Sequence, residues 1–221
     1  MYFEVLVEDI SGKRALEILI PKIIDNNAHI IKIREHKGIG HIPKDIKTAV
    51  GTKQRLLLNK LPFMLQAYGK TFANYPAAFP AVVIVVCDLD RNDQTTFYNS
   101  LLDILRKCNP KPQTRFCLAI EEGEAWFLGD IPAIKAAYPK AKDSVLNDYA
   151  NDSICGTWEL MADAVYPGGR KSLVAKGRQA VGAEKSQWAV KIAPHMDVDS
   201  NLSPSFNNFK TELENLAKTH I

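Results

Sequence analysis

In the middle of the chain, Ala81-Val82-Val83-Ile84-Val85-Val86-Cys87 is apolar throughout and rich in β-branched residues. A half-exposed strand would alternate polar and apolar positions, and this run does not. The β-branched content favours strand over helix, and a strand of this kind is covered on both faces. That makes it central in a parallel sheet. The run ends directly on Asp88-Leu89-Asp90.

The surrounding sequence alternates strand and helix signals. Tyr2 to Val7 reads as a strand with Phe3, Val5 and Val7 on one face. A helical pattern follows, carrying Ala15, Leu16, Leu19 and Ile23 at helical spacing. Pro21 either kinks that helix or opens its second half as a first-turn proline. A second strand is expected over residues 29–34, and a helix with Leu56, Leu57, Leu61 and Leu65 over residues 52–68. A polar helix over 93–108, a break at Asn109-Pro110-Lys111-Pro112 and a fourth strand over 115–120 complete the rhythm. Strands alternating with helices predict right-handed βαβ crossovers in an α/β, Rossmann-like, mostly parallel four-stranded sheet with flanking helices.

From about Tyr138 the rhythm gives way to short helical stretches. A well-signalled last helix has Ser203 as its cap, Pro204 in its first turn, and a stripe of Phe206, Phe209, Leu213 and Leu216. The expected organisation is an α/β domain over residues 1–138 with a helical C-terminal extension over 139–221 packed on it. A hydrophobic share of 46% in 221 residues is enough for such a core and excludes disorder. The longest apolar run, residues 77–87, falls short of the ~20 a membrane helix needs. No basic region and apolar stretch precede the first strand, so no membrane association and a cytoplasmic location are expected. Cys87, Cys108, Cys117 and Cys155 form no C-x-x-C pair and read as structural. A net charge of +3 is too small to argue for nucleic acid by itself, so the placement of charges matters more.

In open parallel sheets, ligands bind beyond the carboxyl ends of the strands. Acids fall at three of those ends: Glu8-Asp9, the Asp88/Asp90 pair with Asp93, and Glu121-Glu122-Gly123-Glu124. Taken singly, an acid after a strand is usually the N-cap of the next helix, and Asp93 fits that role. Gathered on one rim, carboxylates repel each other unless a cation sits among them, and hard oxygen ligands suit Mg²⁺ or Mn²⁺. Glu8, Asp88 and Asp90 are the sharpest metal set.

Val7-Glu8-Asp9-Ile10-Ser11-Gly12 followed by Val85-Val86-Cys87-Asp88-Leu89-Asp90 resembles the Toprim domain of primases, topoisomerases and OLD-type nucleases. That pattern places one glutamate after the first strand and a D-x-D after the third. The stretch from Ile120 to Asp130, with Glu121, Glu124, Ala125 and Trp126, resembles the signature of an uncharacterised Toprim-related family. That family includes RloB-like proteins associated with phage defence and often encoded beside an ATPase. Lys191-Ile192-Ala193 and Ser203-Pro204-Ser205-Phe206 resemble its C-terminal end, so the likeness covers nearly the whole chain. It implies a Toprim-like fold, Glu8 as the catalytic carboxylate, Asp88 and Asp90 as metal ligands, and Glu121 and Glu124 as further acids of the metal site. One departure is Gly12, where OLD-type nucleases carry a second acid. A two-metal site would have to recruit Glu121, Glu122 or Glu124 instead.

Basic residues provide the complement. Lys32, Arg34, His36, Lys37, His41, Lys44 and Lys47 crowd the second strand and the loop after it, opposed only by Glu35 and Asp45. Lys13, Lys37, His36 and His41 are the substrate-binding candidates, since a positive flank beside a metal site suits a phosphodiester. Gly38-Ile39-Gly40 would permit close backbone approach to a phosphate. A second basic stretch, from Arg170 through Lys185 to Lys191, either extends a nucleic-acid track or keeps an outer helix wet. The expected function is that of a Mg²⁺-dependent nuclease-like protein working with a partner ATPase. The alternative is a non-catalytic nucleic-acid- or protein-binding subunit. A haloacid-dehalogenase-type phosphatase fits poorly, because its D-x-D ends the first strand of the domain and here it ends the third.

Overall fold

The computed structural model describes residues 1–43 and 55–218. Four strands, β1 (Tyr2–Val7), β2 (Ile30–Glu35), β3 (Ala81–Asp88) and β4 (Thr114–Ala119), form one parallel sheet in the order β2-β1-β3-β4. Connections run through α1 (Ile10–Ile23), α2 (Leu57–Phe72) and α3 (Gln94–Arg106). The expected helix start at residues 52–54 lies outside the described residues, as do Lys44, Asp45 and Lys47. Asp93 caps α3 as expected, its carboxylate accepting from the Thr96 N–H at 2.9 Å. Pro21 does not start a second helix, since α1 runs on through it to Ile23. It sits in the last turn, where the helix ends two residues later and little hydrogen bonding remains to be lost.

The period-two alternation of the strands sorts side chains into two cores. Phe3, Val5, Val7, Val82, Ile84 and Val86 face α1. Leu6, Val83, Val85 and Cys87 face Leu57, Leu61 and Leu65 of α2 and Leu101 of α3. The expected central strand is therefore buried on both sides. With α2 and α3 on one face and α1 alone among the crossover helices on the other, the half of the sheet near β4 needs a cover.

The chain after β4 supplies it. The short helices α4 (Glu124–Leu128), α5 (Ile131–Ala137), α6 (Asp143–Leu146), α7 (Thr157–Val165) and α8 (Gly169–Val174) lead to α9 (Arg178–Ile192) and α10 (Pro204–Lys218). Phe206, Phe209 and Leu213 of α10, and Trp188 and Ile192 of α9, join the same apolar cluster as β1, β3 and β4. Ser203 Oγ accepts from the Phe206 N–H at 3.2 Å, as the capping reading requires. Trp126 is a core anchor. It stacks on Phe209 with centroids 5.0 Å apart and donates its indole N–H to Ser205 Oγ at 3.0 Å. Cys87, Cys108 and Cys117 are buried, whereas Cys155 is exposed, which the structural reading of all four cysteines did not anticipate. Among the described residues, no helix is long and apolar enough to cross a membrane.

Two glycines test this packing with opposite signs. A Cβ on Gly69 of α2 would lie 1.9 Å from the Pro110 carbonyl oxygen, so Gly69→Ala must force backbone apart. Overpacking of this kind costs ~1–3 kcal/mol. A Cβ on Gly182, inside α9, meets nothing within 4 Å. Gly182→Ala is expected to stabilise by ~0.5–1 kcal/mol through helix propensity. Urea denaturation of the two variants should move the midpoint down for the first and up for the second.

Candidate active site at the carboxyl edge of the sheet

β1 and β3 are neighbours in register, Val7 opposite Val86, so the residues just after them emerge side by side. Glu8 is thereby brought against Asp88 and Asp90. Its carboxyl is pushed up to about 7, first by burial and then by the nearby carboxylates of Asp9 and Asp90. Asp88 is raised well above its ordinary range by burial and by Glu8. Asp90 is also raised by burial. Oε2 of Glu8 is buried without a hydrogen-bond partner. A small cavity of about 50 Å³ opens here between Glu8, Asp9, Gly12, Asp88, Glu124 and Lys185.

The other acids of the rim are differently engaged. Asp9 caps α1, accepting from the Gly12 N–H and the Ser11 hydroxyl, each at 2.8 Å. Glu121 accepts from the backbone N–H groups of Cys155 at 3.1 Å and of Gly156 and Thr157 at 2.9 Å. Its carboxyl oxygens therefore sit at the start of α7, where backbone N–H groups converge. This gives Glu121 a structural task beside the metal-site position that the family likeness implies for it. Glu124 is buried at 3% exposure, and its Oε2 lies 3.1 Å from the ammonium of Lys185. Glu122 lies 3.6 Å from the same ammonium, and its own carboxyl is pushed up to about 7, chiefly by burial.

Lys185 is the residue that sequence reasoning missed, having grouped it with the second basic stretch. Burial alone would lower its pKa, but the carboxylates of Glu124, Asp88, Glu122 and Asp9 override that and raise it. A signal was present. Lys185 precedes the buried Trp188, Ala189 and Ile192 at helical spacing, so it is a lone cation on the apolar stripe of α9.

Backbone strain concentrates on the same rim. Among the described residues, three that are not glycine have positive φ: Asp90 at 51°, Glu121 at 59° and Asp152 at 56°. The first two are tied together, the Asp90 N–H donating to the Glu121 carbonyl at 2.8 Å. Such conformations cost ~1–3 kcal/mol each and cluster at functional sites. Gly12 explains the missing second acid. A Cβ there would lie 2.6 Å from Val7 Cγ2, so a side chain cannot enter without moving the strand end.

The described part of the basic loop does border the acids, with the Gly38 N–H donating to the Glu8 carbonyl at 3.0 Å. Its glycines serve α2, however. The carbonyls of Gly38 and Ile39 accept from Leu57 and Leu58, and a Cβ on Gly40 would strike Asn59 Oδ1 at 2.1 Å. His36 is held by its ring Nδ1 against the Val7 carbonyl at 3.0 Å, and burial lowers its pKa. Lys13 pairs with Glu35 at 2.8 Å. Lys37 and His41 are exposed. In the tail, Arg170 pairs with Asp163 at 3.3 Å and Lys176 bonds to the Tyr166 hydroxyl at 2.7 Å, while Lys171 and Arg178 are exposed.

A hard divalent ion would find the right donor chemistry in Glu8, Asp88 and Asp90, and the unpartnered Glu8 Oε2 is the kind of atom such an ion satisfies. Among the described residues, no group of three His, Cys, Asp or Glu side chains is already arranged to hold a metal ion. Fold and site together define a parallel α/β protein with an acid-rich carboxyl rim that a tail lysine partly neutralises. Scanned against protein-family models, curated proteins and solved structures, the chain matches none.

Glu8 and Glu122 hold protons more tightly folded, at about 7, than at their ordinary 4.5. Their contribution to stability is full below about 4.5 and is lost as pH rises through about 7. In EDTA, the melting temperature is expected to fall across that window. Lys185→Met should steepen the fall, because it strands Glu122 and Glu124. Its cost at pH 7.5 is expected near the lower end of the ~3–5 kcal/mol typical of broken buried pairs, and smaller in acid. A constant difference between variant and wild type across the window would refute this account.

Proposed function

We propose that this protein is a Mg²⁺- or Mn²⁺-dependent, Toprim-type phosphodiester-acting protein, nuclease-like, working with a partner ATPase in phage defence. The observation that carries the reading is the convergence of Glu8, Asp88 and Asp90 at the ends of adjacent strands, with Glu8 raised to about 7. In this reading Asp88 and Asp90 hold the ion. When bound, it would polarise a phosphate oxygen and lower the pKa of water. Glu8, beside the two aspartates, moves the proton as general base or acid. Lys37, exposed beside the rim, positions phosphates. The ATPase and the defence role rest on the family resemblance alone.

A second reading, a non-catalytic nucleic-acid- or protein-binding subunit, is favoured by two features. Lys185 already supplies positive charge to the rim, and no three ligands are pre-arranged among the described residues. Labelled DNA and RNA incubated with Mg²⁺, Mn²⁺ or EDTA, with and without any ATPase found encoded beside the gene, separate the two. Metal-dependent cleavage is expected, reduced about 10²–10⁴-fold by Glu8→Gln and abolished by Asp88→Asn with binding retained. Mn²⁺ should also raise the melting temperature of the wild type but not of Asp88→Asn. Absence of both effects would leave the binding-subunit reading.

A further inference from the structure

Next to the acidic rim, and sharing Glu122 and Lys185 with it, lies a groove of about 390 Å³ walled by Trp158, Val174, Val181 and Arg178. Its volume is within the ~300–1,000 Å³ of small-ligand pockets. Its walls are unusual for this molecule. Trp126 and Trp188 are 4% and 0% exposed, whereas Trp158 of α7 is only half-buried. Val174, at the end of α8, is 55% exposed with no packing role to explain it. An indole flanked by two valines makes a flat-sided apolar slot. Arg178 stands exposed at the first turn of α9, with Lys171 exposed on α8 behind it. On the inner side, Oε2 of Glu122 is buried and faces the ammonium of Lys185 at 3.6 Å.

We propose that this groove is a base-stacking subsite for single-stranded nucleic acid, in which an unpaired base lies on Trp158 between Val174 and Val181. Arg178 takes the adjoining phosphate. The substrate class rests on the phosphodiester reading above, and the groove adds strandedness to it. A base inside a duplex keeps its faces stacked and its pairing edge occupied, so it cannot enter such a slot. Exposed cations on the outer bank favour a polyanion over a protein partner.

The test uses the full-length protein in EDTA, with oligothymidylate as the probe and two readouts: intrinsic fluorescence and the anisotropy of a labelled strand. With Trp126 and Trp188 buried, Trp158 is the indole a ligand reaches, so saturable quenching by the single strand is expected, and lost in Trp158→Leu. Anisotropy should show Trp158→Leu weakened about 5- to 150-fold, the equivalent of ~1–3 kcal/mol per stacked base. Trp158→Phe should stay within a few-fold of wild type, which excludes misfolding as the cause. Arg178→Ala should flatten the salt dependence. Equal affinity of wild type and Trp158→Leu, or equal quenching by a duplex of the same length, would overturn the proposal. Quenching that follows protein concentration without oligonucleotide would assign the groove to a second copy and overturn it too. The two ideas fail separately. Cleavage that needs Asp88 but ignores Trp158 removes the subsite alone, whereas quenching without any metal-dependent cleavage removes the phosphodiester chemistry alone.

Discussion

Taking a lysine out of water is unfavourable, and so is crowding carboxylates, but each condition relieves the other when the two are brought together. Lys185 and the acids of the rim stand in that relation. The ammonium reaches Glu124 at 3.1 Å and Glu122 at 3.6 Å, from a helix that belongs to the far end of the chain. The same helix places Trp188 and Ile192 in the core shared with α1, and α10 packs across β4. The half of the sheet face that the crossover helices leave bare is thus covered by an apolar tail that also carries a charge contact to the rim.

The segment from Glu121 to Asp130 does most of the joining. Glu121 receives three backbone N–H groups at the start of α7, and Glu124 receives Lys185. Trp126 is sandwiched against Phe209, and its carbonyl accepts from the Asn201 side chain at 2.8 Å. Gly129 admits Asn201 and Ser203 so closely that a Cβ would lie 2.3 Å from Asn201 Oδ1. Asp130 caps α5 and also receives the Asp197 N–H at 2.8 Å. The acids and the tryptophan that resemble a family signature in the sequence are thus in large part a joint between sheet and tail. Glu124, facing both Lys185 and the cavity, belongs to both tasks.

How much could be read beforehand follows from the range of the interactions involved. The four strands, the capping by Asp93 and Ser203, and the two-sided burial of β3 depend on local pattern, and local pattern is visible in a linear sequence. Register between β1 and β3 follows from their adjacency, so the meeting of Glu8 with Asp88 was also within reach. Glu121 was not separable from Glu124 by spacing, since what divides them is the position of α7, more than 30 residues on. Lys185 is harder still. Its sign matches its basic neighbours, and its burial is decided by tertiary packing of α9. Gly38 and Gly40 invited a phosphate-loop reading, but the backbone freedom they supply is used to start α2.

Subtracting the compensated acids leaves a residue of charge that the fold itself does not answer. Asp9 is answered by its own helix, Glu121 by another helix start, and Glu122 and Glu124 by Lys185. Among the described residues Glu8, Asp88 and Asp90 form no ion pair; Lys185 eases them only from further off, and Glu8 and Asp88 are still driven toward the protonated form. A purely structural rim would be expected to replace such groups with apolar or amide side chains, since buried carboxyls held neutral contribute nothing that a glutamine would not. Three ionisable groups, one of them on the strained Asp90, are thus kept at the edge where parallel sheets bind their ligands, which is what the proposed divalent ion would need.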